Sequence, residues 1–113
     1  MARVVVFEKD QILFFDLTAE QDGDGECSQA ETVEDGLEIL RGDRDIKVAV
    51  VGDCDIKGLF ADFLADIRDI SPDVRIVKVT SCAGDKRTAF IDVGFTHACT
   101  PDELPALLRQ LLA

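Results

Sequence analysis

Apolar residues occur along this chain in short blocks separated by polar turns. The clearest block is Val48-Ala49-Val50-Val51: four apolar residues, three of them β-branched, running into Gly52-Asp53-Cys54-Asp55. A short apolar run without polar alternation reads as a strand buried on both faces, the central strand of a parallel sheet. Residues 3–7 repeat the pattern and end in Glu8-Lys9-Asp10. Ile12, Leu13, Phe14, Phe15, Leu17 and Ala19 make residues 11 to about 20 a short, very apolar helix. Residues 21–25 read as a turn, and residues 26 to about 30 as a weak, polar strand suited to a sheet edge. Thr32, with Asp35 three residues on, caps a helix whose buried stripe is Val33, Leu37 and Leu40, and Gly42 is placed to end it.

Beyond the central strand, Leu59, Phe60, Phe63, Leu64 and Ile67 recur at helical spacing and predict a helix that stops before Pro72. A strand over 74–80 follows, then a helix over 86–93, capped by Asp85 and closed by Gly94. A strand over 95–99 leads to a last helix with Leu104, Leu107, Leu108 and Leu111 on one face. Pro105 needs no amide donor in a first turn, so that helix is expected to start near Asp102. Strands and helices alternate five times. Right-handed crossovers turn this into a doubly wound α/β fold, a three-layer α/β/α sandwich. The common order of a five-stranded parallel sheet is 2-1-3-4-5, the flavodoxin-like arrangement. It sets strands one and three side by side, and chemistry in such sheets lies just past the carboxyl ends of the strands.

The length of 113 residues is that of one domain, 1–113, and the apolar fraction of 47% is enough for a single core. A net charge of −11 argues against nucleic acid and against an anionic membrane face. No run approaches the length of a membrane span and no signal peptide is seen, so a cytoplasmic location is expected. Cys27, Cys54, Cys82 and Cys99 lie far apart with no CxxC pair, as reduced, buried small hydrophobes would.

Several stretches together resemble the receiver (CheY-like) domain of bacterial two-component response regulators, over essentially the full length. Residues 3–10 resemble the family's first strand and acidic cluster, and Ile67-Arg68-Asp69-Ile70-Ser71-Pro72-Asp73-Val74 its third helix end and following loop. Val77-Lys78-Val79-Thr80-Ser81 resembles the fourth strand with its terminal hydroxyl; Gly94 and Pro101-Asp102-Glu103-Leu104 resemble the approach to the fifth strand and last helix. The resemblance implies an aspartate at the end of strand three that accepts a phosphoryl group, two acids after strand one that bind Mg²⁺, a hydroxyl after strand four, a lysine after strand five and an aromatic switch on strand five.

Carried over residue by residue, the pattern is incomplete. Counting back without gaps from Ile67-Arg68 puts Gly52 on the acceptor position; a short insertion or deletion after Asp55 would put Asp53 there instead. A one-residue slip of the strand itself would reverse its side chains. Glu8 matches the first acid, but Lys9 occupies the second and sets a cation where Mg²⁺ should sit, with Asp10 a partial substitute. Any Mg²⁺ site, drawing on Glu8, Asp10 and Asp53, is therefore expected to be weak. Thr80 is retained as a phosphoryl contact. The lysine position falls on Pro101 and the aromatic position on Ala98.

Lys78 stands mid-strand where the family is apolar. On an alternating strand it shares a face with Thr80. It either points up towards Asp53 or Asp55, standing in for the missing lysine, or snorkels past a helix edge, the reading preferred here. Glu20 to Glu31 matches a calcium-loop pattern at Asp22, Asp24, Gly25 and Glu31, but begins with Glu and has Cys27 at its eighth position, and the same residues fit the turn and edge strand. Cys54, Cys82 and Cys99 with His97 fall near one sheet edge, yet match no zinc spacing; the single histidine reads as a hydrogen-bonded surface residue.

The expectation is a receiver-like signalling domain of a phosphorelay, degenerate, not an enzyme, acting by protein–protein contact. The alternatives are a phospho-accepting receiver using Asp53, Mg²⁺, Thr80 and Lys78, and, more weakly, a calcium- or redox-sensing module on the same fold. Partners implied by the resemblance are a histidine kinase, an output domain or a second copy. The family docks through its last two helices and the strand between them. Here that face draws on Lys86, Arg87 and Arg109, with Phe90 and Phe95 as apolar anchors or as core.

Overall fold

The computed structural model describes residues 3–10, 27–52, 60–80 and 85–112, with the backbone alone for 85–87. The elements are β1 (Val4–Phe7), β2 (Cys27–Ala30), α1 (Val33–Gly42), β3 (Val48–Val51), α2 (Phe60–Ile70), β4 (Arg75–Val79), α3 (Asp85–Val93), β5 (His97–Cys99) and α4 (Leu104–Leu112). The helix expected over 11–20 lies outside the described residues. The five strands form one parallel sheet in the order β2-β1-β3-β4-β5, as the alternation of apolar blocks implies.

Pleating sorts the core by alternate residues. Val5, Phe7, Ala49, Val51 and Ile76 pack beneath Leu37 and Leu40 of α1 and Phe63, Leu64 and Ile67 of α2. Val4, Val6, Val48, Val50 and Val77 pack on the other face with Cys99 and with Leu104 and Leu108 of α4. β1 and β3 are fully buried along their length. Each such aliphatic side chain contributes about 1.5–3 kcal/mol on leaving water, so the apolar blocks of β1 and β3 dominate the assembly of the sheet.

Local signals explain most element ends. The Asp35 N–H donates to Thr32 Oγ1 at 3.1 Å, which caps α1 as read. At the end of α3, the Phe95 N–H donates to the Phe90 carbonyl and the Gly94 N–H to the Ile91 carbonyl, with Gly94 at φ 131°. This is a Schellman closure, which needs a residue without a Cβ. Gly42 does something else. It is the last helical residue of α1, and the chain leaves extended through Asp43 at φ −135°, so no left-handed residue ends that helix.

β5 begins at His97 rather than at residue 95, because the Phe95 N–H is engaged in the α3 closure. α4 begins at Leu104 rather than near Asp102. Thr100 donates from its N–H and its hydroxyl to Glu103 Oε1 at 2.9 and 3.0 Å, and residues 101–103 turn ahead of the regular helix. Pro105 then sits in the first turn, where its missing N–H is harmless. Gly36 packs directly on the Phe7 ring, a contact with no signature in the apolar pattern.

Candidate functional site

β1, β3 and β4 end nearly level, because Phe7 pairs with Val51 and Val51 pairs with Lys78. Glu8, Gly52 and Thr80 therefore meet along one edge of the sheet. The ladder continues past the strands: the Gly52 N–H donates to the Phe7 carbonyl (2.9 Å), Glu8 N–H to the Ala30 carbonyl (3.0 Å) and Thr80 N–H to the Cys99 carbonyl (2.9 Å). Gln29 Nε2 donates to the Glu8 carbonyl at 2.8 Å and ties down the edge strand β2.

Glu8 turns inward. At 2% exposure it is the one buried charged residue among the described residues. Its Oε1 lies 3.2 Å from the point where a Cβ on Gly52 would stand, and its Cδ 3.4 Å away. The glycine leaves the room that the Glu8 carboxyl fills. An acid at position 52 would set two carboxyl groups against each other, and like charges so placed resist joint ionisation. Lys9 and Asp10, next along, are exposed.

Lys78 reaches Gly52 from the other face of the sheet. Its Nζ donates to the Gly52 carbonyl at 3.1 Å. The same ammonium lies 5.5 Å from the ring centroid of Phe90 and 5.9 Å from that of Phe60. Phe60, Phe90 and Phe95 pack edge to face around it, with centroids 5.5–6.1 Å apart. Two aromatic rings and a carbonyl replace part of the hydration shell of this half-buried charge. The preferred expectation, a lysine passing a helix edge on its way to solvent, is corrected here. Lys78 is level with Val51, one residue short of Gly52, so its stem is long enough to bring the charge to the strand end.

Asp53, Cys54, Asp55 and Cys82 lie outside the described residues, as do residues 20–26 of the calcium-loop match. Of the remainder of that match, Cys27–Ala30 pair with β1 throughout and Glu31 is exposed. Cys27 is half-buried on the edge strand and Cys99 is buried in the core. Among the described residues no group of three or more His, Cys, Asp or Glu is placed to hold a metal. The Mg²⁺ that the resemblance implies does not fit the described edge. That edge offers one inward acid, an exposed Lys9 and a backbone carbonyl that already accepts from an ammonium.

The docking face expected from the sequence is formed by α3, β5 and α4. A groove of about 500 Å³ runs along it, lined by Ile91, His97, Ala98, Glu103, Ala106 and Leu107 among others. Ile91 and Val93 are the large apolar residues most open to solvent among those described, each 43% exposed. Sequence reasoning named neither. Phe95, by contrast, is 2% exposed and belongs to the core, while Phe90 is partly buried with its ring against Phe60 and Phe95. Arg109 is exposed; the side chains of Lys86 and Arg87 lie outside the described residues. His97 is not the hydrogen-bonded surface residue expected. Its Nδ1 is buried without a hydrogen-bond partner among the described residues. Burial, and then the nearby Arg75 guanidinium, hold its pKa below the ordinary value of 6.5.

This architecture is the flavodoxin-like sandwich, and it is similar to solved response-regulator receivers. The chemotaxis protein CheY4 of Vibrio cholerae superposes with a TM-score of 0.75 at 17% identity over 98% of both chains. An orphan response regulator of H. pylori gives 0.72 at 18%, over 99% of this chain and 97% of that one. A response regulator from Burkholderia pseudomallei, solved with a phosphorylated aspartic acid, calcium and citrate, gives 0.74 at 17%; this chain spans 66% of its length. The fold is thus that of the CheY-like receiver. No protein-family model matches the chain, and no curated protein matches it by sequence. No helix among the described residues is long and apolar enough to cross a membrane.

Proposed function

We propose that this chain is a degenerate receiver: a cytoplasmic signalling domain that works by contact with another protein and not by accepting a phosphoryl group. The observation that carries the reading is Gly52. By the strand register it stands level with Glu8 at the end of the central strand, where the resemblance calls for an acid, and the Glu8 carboxyl occupies the adjoining space. On this reading the acceptor position itself, Gly52, carries no nucleophile, and with Lys9 and Lys78 nearby the described edge is poorly suited to Mg²⁺.

The function then rests on a surface. The groove lined by Ile91 of α3 and Leu107 of α4, together with the exposed Val93, supplies apolar area, and Lys86, Arg87 and Arg109 supply basic character in a chain of net charge −11. Such a local reversal of sign favours an acidic patch on the partner, through steering and register more than through raw affinity. A histidine kinase, an output domain or the acidic face of a second copy each meets that description. Reversing the charge at Lys86, Arg87 and Arg109 together, with self-association and partner capture measured at low and moderate salt, tests the assignment. Loss of either contact supports this face. If both are unchanged while Asp53→Asn alters them, the contact lies at the acidic edge instead.

A further inference from the structure

At the amino end of the sheet, opposite the Glu8–Gly52 edge, the connections into β3 and β4 border a pocket of about 480 Å³. Arg44 and Lys47 line it from the connection between α1 and β3, and Arg75 from the first position of β4. The backbone that carries them is fixed. The Lys47 N–H donates to the Arg3 carbonyl at 2.8 Å and the Arg75 N–H to the Lys47 carbonyl at 2.9 Å. The turn through Pro72 is closed by the Val74 N–H on the Ser71 carbonyl at 3.2 Å. The three cationic side chains are exposed, and among the described residues none of them has a salt-bridge or side-chain hydrogen-bond partner. Asp43 and Asp45 flank Arg44 in sequence, but the Asp45 N–H donates to Asp43 Oδ1 at 2.9 Å and neither residue lines the pocket.

Asp73 is the one acid among the lining residues, so the three cations leave an excess of two positive charges. A phosphate monoester carries close to two negative charges at pH 7. Arginine and lysine are the side chains that give such a group charge-assisted donors. Ile46, Ile70, Val74 and Leu111 make the rest of the wall apolar, which suits an organic body on the ester. The volume lies within the range of small-molecule sites. The net charge of −11 selects for size. An extended polyanion would meet the acidic surface beyond the pocket, whereas a small anion stays within about one Debye length, about 8 Å, of the cations and is screened from the rest.

We propose that this pocket is a binding site for a small soluble phosphate monoester with an apolar or aromatic body, its phosphoryl group held by Arg44, Lys47 and Arg75. The site shares no residue with the Glu8–Gly52 edge or with the groove along α3 and α4. It therefore stands apart from the degenerate-receiver reading, and either can fail without the other.

The experiment is a titration of the whole chain with phenyl phosphate, followed by the backbone amide resonances of Lys47, Ser71, Val74 and Arg75. Phenyl sulfate, with the same ring and one charge, inorganic phosphate, with no ring, and vesicles rich in an anionic phospholipid are the comparisons. Phenyl phosphate should give saturable shifts confined to these amides at millimolar concentration or below, and should bind more tightly than phenyl sulfate or inorganic phosphate. Lys47→Gln and Arg75→Gln should each weaken it about tenfold. Arg109→Gln, an exposed cation of the other face, should leave it unchanged. The substituted side chains are exposed, and two separate pocket variants keep the test open if one of them folds poorly. Four results would overturn the proposal: no saturable shift with phenyl phosphate, equal affinity for phenyl sulfate, folded pocket variants that bind like the parent, or an Arg109→Gln loss as large as theirs. Binding to the vesicles with none to soluble phenyl phosphate would assign the pocket to a lipid headgroup and equally overturn it.

Discussion

A Cβ added to Gly52 would stand 3.2 Å from Oε1 of Glu8, tighter than all but a small share of ordinary Cβ contacts. The Glu8 carboxyl is buried and has little room to retreat. Gly52→Ala should therefore destabilise the domain by about 1–2 kcal/mol, and Gly52→Asp by about 2–4 kcal/mol, since the second adds a like charge to the overlap. Urea denaturation at neutral pH measures both. Glu8→Gln in the Gly52→Asp background should recover part of the loss; no recovery would show that the two groups do not oppose each other.

The Lys78 cage makes a second, separable prediction about stability. Lys78→Ala removes a hydrogen bond to a backbone carbonyl and the stem that packs against Phe60 and Phe90. For a half-buried site the combined loss is about 1–2 kcal/mol. Lys78→Met should lose less, because its stem still fills the space between the rings. Equal melting temperatures for the Ala variant and the parent would argue that the lysine leaves the cage in solution.

Gly36 and Phe7 give a packing prediction that the helix propensities oppose. On propensity alone, Gly36→Ala inside α1 should stabilise by up to about 1 kcal/mol. However, the added methyl would overlap the Phe7 ring, which is fully buried and held edge to face on Phe63 with centroids 5.1 Å apart. Overpacking should win, with net destabilisation of about 1–3 kcal/mol by thermal or urea unfolding. A more stable Gly36→Ala would mean that α1 can lift from the sheet at little cost.

His97 sets a pH dependence. Its folded-state pKa is lowered, first by burial and then by Arg75, while the unfolded chain titrates near 6.5. Above 6.5 both states are neutral and the stability linked to His97 is fully present. As the pH falls through 6.5 the unfolded state takes up a proton that the folded state refuses, and stability declines until the lower folded pKa is passed. Replacing His97 by Leu should flatten this part of the pH profile. It should also stabilise the protein by about 0.5–1.5 kcal/mol at neutral pH, since a buried nitrogen without a partner is removed. An unchanged slope between pH 7 and 5 would assign the dependence to the carboxylates.

The sheet was legible because its signals are local. Four apolar residues ending in glycine mark β3, Thr32 with Asp35 marks the start of α1, and Gly94 marks the end of α3 through a backbone geometry that glycine favours. The face of Lys78 was legible too, from alternation. Its destination was not, because a flexible four-carbon stem on β4 can end in solvent or at the neighbouring strand, and the choice depends on where Phe60 and Phe90 pack in three dimensions. The same holds for Phe95: its spacing suits a surface anchor or a core residue equally, and only the closure of α3 turns it inward. Ile91 and Val93 escaped notice because α3 has no apolar stripe from which an unpartnered side would stand out. The Gly36–Phe7 contact joins residues from separate elements and leaves no periodic trace.

A degenerate receiver and a working one differ most directly in whether this edge accepts a phosphoryl group. Incubating the intact protein with acetyl phosphate or phosphoramidate in the presence of Mg²⁺, and reading the intact mass, addresses it directly. A degenerate receiver should keep an unchanged mass, with Asp53→Asn indistinguishable from the parent. A gain of one phosphoryl group that disappears in Asp53→Asn would contradict it, making this chain a working phospho-accepting receiver with Asp53 as its nucleophile.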